Sequence, residues 1–422
     1  MMNAPKQAVI LCGGRGERLR PLTDRTPKAL APVLGRAYLD YLIDQLHGEG
    51  IEQIVLLTGY LAGQIAAHVG DGKRFGVDIR CLQGPPEWES GKRLAEAKHL
   101  LAERFVLLYC DNYAPFRLDL LREFHQRMGL PVTVTLAEKA GGNFRLGKDR
   151  AIEAFDFTRK QPGLNQVEIG YMMVERDFVM QRNPGRGSFS AVLSELAAEG
   201  RLAAFAPGHT YYCSISDLTR LREAEEFFSP RRLLLLDRDG VINRKAPRGE
   251  YVSRKEDFKW IPQTLAGLRE LAEHGFEFII LTNQAGIGRG VVAAETMTEL
   301  HAWMVEEMRK QGIPMKDIFV CPHHWEDHCI CRKPLPALFY RASGKHRFWL
   351  DRTLYVGDDP RDAIAARNAG CGCVLVGNED HMPREQTAAA HQHYSNLLGA
   401  VPWIMDRFGS WDSASCDRAV SS

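Results

Sequence analysis

The 422-residue chain balances 54 basic against 53 acidic side chains, for a formal charge of +1. That balance excludes a general field drawing the protein to nucleic acid or to an anionic membrane surface, so its cations act locally. No apolar stretch approaches the roughly 20 residues of a membrane span, and Met1-Met2-Asn3-Ala4-Pro5-Lys6 lacks the long apolar segment of a secretory signal, which predicts a cytoplasmic protein.

In chain order, the first predicted strand is Ala8-Val9-Ile10-Leu11, and it runs into Gly13, Gly14 and Gly16. A buried strand ending in glycines lets backbone approach a ligand closely. Arg15, Arg18, Arg20 and Lys28 follow, and guanidinium forks with an ammonium neutralise phosphate oxygens, so the expected ligand is a polyphosphate. Taken alone, the stretch also fits a glycine-rich turn with solvated arginines. The dinucleotide fingerprint fits less well, because Leu19 stands where its third glycine should fall. Strands follow at Gln53 to Thr58, Val77 to Leu82, Phe105 to Cys110 and Val132 to Leu136, with helical patterns over Leu39 to His47 and Leu61 to His68. This is the rhythm of a mainly parallel sheet. Asp111 ends an apolar strand, where open α/β sheets bind ligands, and is the candidate for holding Mg²⁺; the plain alternative is a turn residue.

A boundary is placed at Ser229-Pro230-Arg231-Arg232, giving domains over 1–229 and 230–408 and a frayed tail over 409–422. The second half predicts strands at Leu233 to Leu236, Phe278 to Leu281, Ile318 to Cys321, Thr353 to Val356 and Cys373 to Val376, and helices near Thr264 to His274 and Ala294 to Gln311. Asp237 and Asp239 stand just beyond the first of these strands. At that spacing Asp237 can attack phosphorus while Asp239 protonates the leaving alkoxide and later deprotonates water; a calcium-binding or turn-forming pair is the plain alternative. Thr282 and Asn283 follow the next strand as donors, Asp358 follows a later one as a metal ligand, and Lys333 supplies positive charge. Between them lies Cys321-Pro322-His323-His324-Trp325-Glu326-Asp327-His328-Cys329-Ile330-Cys331. Cys321, His323, Cys329 and Cys331 are assigned to a closed structural Zn²⁺ site, with His324 and His328 as alternates. Among the other cysteines, Cys12, Cys81, Cys110 and Cys213 are read as small core hydrophobes and Cys371 and Cys373 as packing near a strand start, and no structural disulfide is expected.

The run Gly13-Gly14-Arg15-Gly16-Glu17-Arg18-Leu19-Arg20-Pro21-Leu22-Thr23, followed by Pro27-Lys28-Ala29-Leu30-Ala31-Pro32-Val33, resembles the signature of sugar-1-phosphate nucleotidyltransferases. The resemblance implies that Gly13, Gly14 and Gly16 cradle a nucleotide and that Arg18 stabilises the transferring phosphoryl group. It further implies that Lys28 holds phosphate, Asp111 binds Mg²⁺ and Gln83 lies near the base. Three departures stand out: Ser214-Ile215-Ser216 replaces a second acidic metal segment with Asp217 displaced, Arg159-Lys160-Gln161-Pro162 replaces a Glu-Lys-Pro segment, and Glu17 sits beside the glycines.

Asp237-Arg238-Asp239-Gly240-Val241-Ile242-Asn243, the zinc loop and Cys331-Arg332-Lys333-Pro334 resemble haloacid-dehalogenase-type (HAD) phosphatases of the heptose bisphosphate and histidinol-phosphate branch. This implies Mg²⁺ on Asp237, the Asp239 carbonyl and Asp358, phosphate on Thr282 and Lys333, and a second anionic group on Arg289 and Arg332. The fold class expected is therefore α/β in two domains: a Rossmann-like, GT-A-like nucleotidyltransferase sheet and a HAD-like Rossmannoid sheet with a zinc loop. Together the resemblances imply removal of the 7-phosphate from a heptose 1,7-bisphosphate and then nucleotidyl transfer, GMP from GTP favoured. Histidinol phosphate, a nucleotidyltransferase-like domain that only binds, another sugar with UTP, dTTP or CTP, and self-association into a homo-oligomer stay open.

Overall fold

The structure, a computed structural model, describes residues 6–420 apart from 148–149, 183–186, 248 and 378–388, with side chains described as far as 411. The chain divides after Phe228 into two compact units. No helix among the described residues is long and apolar enough to cross a membrane.

In the N-terminal unit, β1 (Gln7–Cys12), β2 (Gln53–Thr58), β3 (Asp78–Gln83) and β4 (Arg104–Tyr109) pair in parallel in the order β4-β1-β2-β3. After Gln7, β1 is apolar because both faces are covered: Ala8 and Ile10 enter one core cluster and Val9 the other. The sheet continues through β5 (Val132–Glu138), β6 (Gln166–Glu175) and β7 (Leu202–His209). β6 lies antiparallel between β4 and β5, and β7 is parallel to β5. A hairpin of Phe144–Leu146 and Ile152–Phe155 brings the sheet to nine strands. The expectation of a mainly parallel sheet therefore holds for its β1–β4 half. β6 was not foreseen because its pattern changes midway: Val167, Ile169 and Tyr171 alternate with Gln166, Glu168 and Gly170, whereas Met172, Met173 and Val174 are buried on both faces, so neither pattern runs its length.

Helix α1 (Tyr38–Gly48) covers this sheet with Leu39, Ile43 and Leu46, spaced four and three residues apart on one stripe. Helix α2 is Ser90–Glu96, and α3 (Leu218–Phe228) closes the unit, with Phe228 stacked on Tyr41 at 4.1 Å between ring centroids.

The C-terminal unit is built on six parallel strands: β8 (Leu233–Leu236), β9 (Glu277–Asn283), β10 (Met315–Cys321), β11 (Leu354–Gly357), β12 (Gly372–Val376) and β13 (Gln392–Tyr394). Their order is β10-β9-β8-β11-β12-β13. The chain winds from β8 to β10 on one side and then returns to the other through β11, so the strand order reverses beside β8. Crevices of that kind bind ligands at the strands' carboxyl ends. Leu234 and Leu236 face one core cluster, Leu233 and Leu235 the other. Helices α4 (Pro262–Glu273), α5 (Ala294–Lys310), α6 (Pro360–Ala369) and α7 (Leu397–Val420) belong to the same unit, with a further helix over Ala337–His346.

Helix α7 enters the stretch from residue 409 in which the sequence led us to expect a frayed tail. α7 passes through Gly409 without a break, anchored by buried Phe408, whose ring packs on Phe276 at 4.8 Å and on Trp411 at 4.9 Å. Leu235 is fully buried between sheet and helices. Leu235→Ala should lower the stability of this unit by about 3 kcal/mol, measured as a reduced urea midpoint in tryptophan fluorescence.

Candidate active sites

Asp237 follows β8 directly, its amide bonded to the Val356 carbonyl of β11 at 2.8 Å. The Asp237, Asp358 and Asp362 carboxylates lie within 4.8 Å of one another. Buried Lys333 reaches Asp237 Oδ2 at 3.0 Å and Asp362 Oδ1 at 2.8 Å. Burial pushes the Asp237 carboxyl up to about 6, against the pull of the Lys333 ammonium. Burial also pushes Asp358 up to about 7, opposed by the Lys245 ammonium 2.7 Å from its Oδ2.

The residues present fit Mg²⁺. Asp358 Oδ1 is buried and has no hydrogen-bond partner, the situation of an oxygen shaped for a cation. Asp362 is already committed: its oxygens accept from the Asp358 and Asp359 amides, from the Tyr355 hydroxyl and from Lys333. Asp237 and Asp358 are thus the side chains to hold the ion. Gly240 serves this corner: it adopts φ of +93°, and a methyl group there would overlap the Asp358 carboxylate.

Asp239 stands outside that carboxylate cluster. The Arg238 guanidinium grips both its oxygens at 2.8 and 2.9 Å, and Asn243 and Gln284 donate to it at 2.9 and 2.8 Å. Burial alone would raise its carboxyl, but the Arg238 charge and these donors hold it below the ordinary carboxylate range. Asp239 is therefore ionised here, the state that suits a base. Thr282 is buried beside Gln284, which donates to its hydroxyl at 2.9 Å. Asn283 binds the backbone of Lys333 on both sides, accepting from its amide at 3.1 Å and donating to its carbonyl at 3.3 Å. Arg332 Nη1 is buried without a partner, whereas exposed Arg289 donates to the Tyr251 hydroxyl and lies over Trp325.

Cys321, His323, Cys329 and Cys331 come together as one cluster. Sγ of Cys329 is 3.7 Å from Sγ of both Cys321 and Cys331, and His323 Nδ1 is 3.2 Å from Cys331 Sγ. These separations exceed a disulfide and approach the edge of about 3.8 Å that a tetrahedron with Zn–S of about 2.3 Å requires. The donor set fits closed Zn²⁺. The alternates lie elsewhere: His324 caps the turn at Trp325 by accepting from the Glu326 amide, and His328 is exposed.

In the N-terminal unit a cavity of about 530 Å³ is lined by Gly14, Arg15, Gly16, Glu17, Arg18, Lys28, Tyr109, Asp111 and Ser216, among others. Lys28 is paired with Asp111. Gly13 and Gln83, expected at the nucleotide, are not in that lining. Ser214 pairs with Asn112 beside Asp111, and Asp217 accepts from the Arg220 amide at the start of α3. Sequence reasoning missed Glu168, which burial pushes up to about 8 and which senses the Asp111 charge. It also missed Asp362, Arg238, Lys245 and Arg93. Asp362 had a local signal, since Asp359-Pro360-Arg361-Asp362 is a capping box opening α6.

Gly240→Ala should abolish phosphatase turnover while leaving zinc content, measured by plasma emission, unchanged. Cys329→Ser should instead lower the zinc content and stability of this unit. A carboxyl raised in the folded state stabilises it below the unfolded value of about 4. Metal-free protein should therefore lose stability as pH rises from about 4 to about 7 through Asp237 and Asp358. Asp358→Asn should flatten that slope in denaturant titrations with chelator.

A nucleotidyl transferase family model matches residues 7–142, and a HAD-hydrolase-like model matches 330–399. The D-glycero-beta-D-manno-heptose-1,7-bisphosphate 7-phosphatase of Helicobacter pylori is 38% identical over 178 residues, 41% of this chain and 97% of that protein. The D-glycero-alpha-D-manno-heptose-1,7-bisphosphate 7-phosphatase of Photorhabdus laumondii is 32% identical over 174 residues, 39% of this chain and 93% of that protein. A solved D,D-heptose 1,7-bisphosphate phosphatase from B. bronchiseptica, complexed with magnesium and phosphate, is 28% identical. It covers 42% of this chain and 98% of its own, with a TM-score of 0.38. The chain thus joins a nucleotidyl transferase domain to a HAD-like phosphatase unit, and through that unit it belongs to the D-glycero-D-manno-heptose-1,7-bisphosphate 7-phosphatase family.

Proposed function

We propose that the chain is a bifunctional enzyme that removes the 7-phosphate of D-glycero-D-manno-heptose 1,7-bisphosphate and transfers a nucleotidyl group, GMP from GTP, to the heptose 1-phosphate. The observation that carries this reading is the union in one chain of two partners: a unit matching heptose bisphosphate phosphatases over nearly their whole length, and a nucleotidyl transferase domain with an arginine- and lysine-lined cavity. A sugar left with phosphate only on its anomeric carbon is the acceptor the second reaction needs.

In the phosphatase half, Asp237 attacks the distal phosphorus, and the sugar oxygen leaves with a proton from Asp239. Asp239 then takes a proton from water, which attacks the aspartyl phosphate and restores Asp237. Since Arg238 holds Asp239 ionised, a proton must reach it before the first step. Thr282 and Lys333 hold the transferring phosphate, with Asn283 fixing the Lys333 backbone. Arg332 and Arg289 receive the second phosphate, Arg332 through its unpartnered Nη1. Mg²⁺ held by Asp237, Asp358 and the Asp239 carbonyl would neutralise phosphoryl oxygens, and Zn²⁺ on the cysteine cluster would be structural. In the transferase half, Arg18 stabilises the α-phosphoryl group, Lys28 binds phosphate, the Gly13–Gly16 backbone supports the nucleotide with Gln83 near the base, and Asp111 is the Mg²⁺ ligand.

A specific observation favours a second reading. Ser214 and Ser216 supply no carboxylate, and Asp217 is turned to the start of α3. On this reading the N-terminal unit binds ligand without turnover, and the phosphatase acts on histidinol phosphate or another small phosphomonoester. Incubation with Mg²⁺, heptose 1,7-bisphosphate and each of GTP, UTP, dTTP and CTP, followed by phosphorus NMR, separates the two. Phosphate together with pyrophosphate from GTP is the expected result. Phosphate without pyrophosphate supports an N-terminal unit that binds without turnover, absence of both supports another phosphomonoester as substrate, and pyrophosphate from another triphosphate changes the nucleotide. Asp237→Asn should abolish phosphate release yet spare transfer to supplied heptose 1-phosphate, and Arg18→Ala should do the reverse.

A further inference from the structure

Arg93, on α2, is one of two buried arginines among the described residues, with 5% of its surface exposed. Its guanidinium donates to four backbone carbonyls: Thr58 at 2.6 Å, Pro85 at 2.7 Å, Trp88 at 3.1 Å and Gly13 at 3.4 Å. Gly13 follows β1, Thr58 ends β2, and Pro85 and Trp88 belong to the loop after β3. One planar group therefore ties together the carboxyl ends of three adjacent parallel strands, the edge at which open α/β sheets bind ligands. A lysine ammonium lacks the planar fork that reaches several acceptors at once.

Two glycines make room for it. A methyl group on Gly13 or on Gly59 would overlap the Arg93 guanidinium. By contrast, a methyl group on Gly14 would meet nothing within 4 Å, and Gly14 lines the cavity whereas Gly13 does not. The first glycine of the loop is thus explained by an arginine 80 residues away in sequence.

We infer that Arg93 is a positioning residue for nucleotide binding, a clamp that holds the Gly13–Gly16 loop against the ends of β2 and β3 in its binding conformation. Loss of the clamp leaves the loop in the competent arrangement only part of the time, which weakens apparent binding by that fraction. This rests on the nucleotidyl-transfer reading, while the clamp itself is measurable without turnover.

The test is a double-mutant cycle on the full chain with Arg93→Ala, Gly13→Ala and the pair, with Arg93→Lys as the conservative variant. Because Arg93 and Gly13 lie in the N-terminal unit, far-UV circular dichroism and the urea transition of the chain report that each variant is folded. Amide hydrogen exchange over residues 13–16 and 84–90 and the KM and kcat for GTP with heptose 1-phosphate are the readouts. Arg93→Ala is expected to speed exchange in both segments and to raise KM by about tenfold with a smaller change in kcat, and Arg93→Lys to recover part of the loss. Gly13→Ala is expected to match that loss alone and to add nothing in the Arg93→Ala background. Unchanged exchange in Arg93→Ala, or a Gly13→Ala penalty of the same size in both backgrounds, overturns the proposal. Absence of pyrophosphate formation by the unaltered chain would sink the transfer reading instead, with hydrogen exchange still deciding for or against the clamp.

Discussion

The buried Lys333 ammonium is the interaction on which the C-terminal unit turns. A charge withdrawn from water costs several kcal/mol unless its partners are in place, and the partners of Lys333 come from four elements. Asp237 follows β8, Asp362 lies on α6, the Tyr355 hydroxyl comes from β11, and Asn283 at the end of β9 grips the Lys333 backbone. The ammonium is satisfied only when these elements meet in register. The same register brings Asp237 and Asp358 together, so fold and reaction centre form as one arrangement. The cysteine and histidine cluster contributes to it, because Cys331, one of its members, lies two residues before Lys333.

Around that centre the carboxylates are sorted by their neighbours rather than by their type. Asp362 is saturated by backbone amides and the ammonium, and so it orients rather than reacts. Asp239 is captured by Arg238 and kept ionised, while Asp358 keeps a bare oxygen for a cation. Four aspartates near one crevice are thus set apart by what each one touches: Asp237 meets an ammonium, Asp239 a guanidinium, Asp362 backbone amides, and Asp358 keeps one oxygen unpartnered. In the N-terminal unit a smaller set plays on the same stage, the carboxyl ends of parallel strands. There Lys28 pairs with Asp111, and the cavity carries three cations, Arg15, Arg18 and Lys28, against two acids, Glu17 and Asp111, a field suited to an anionic ligand.

Much of this was legible beforehand where the chemistry is local. Asp237 and Asp239 are two residues apart, and Cys329 and Cys331 share one short loop with His323 and Cys321. Such spacing survives folding unchanged. The parallel strands were readable because sheets covered on both faces are written as unbroken apolar runs. β6 was lost because it alternates only over Gln166 to Tyr171 and then runs apolar over Met172 to Val174, so neither signal is long enough to mark a ten-residue strand. The continuation of α7 past Gly409 was lost because its support, Phe276 packed on Phe408, comes from more than a hundred residues away.

By itself, then, the sequence determined which chemistries the chain carries, since each depends on residues brought close by a turn or a strand end. Tertiary structure alone decided which of several equivalent side chains takes each part. Nothing in the spacing of Arg238 and Asp239 says that one locks the other, and nothing near Gly13 announces Arg93. Those choices depend on contacts between distant segments, which periodicity does not record because packing selects them only once the strands are aligned.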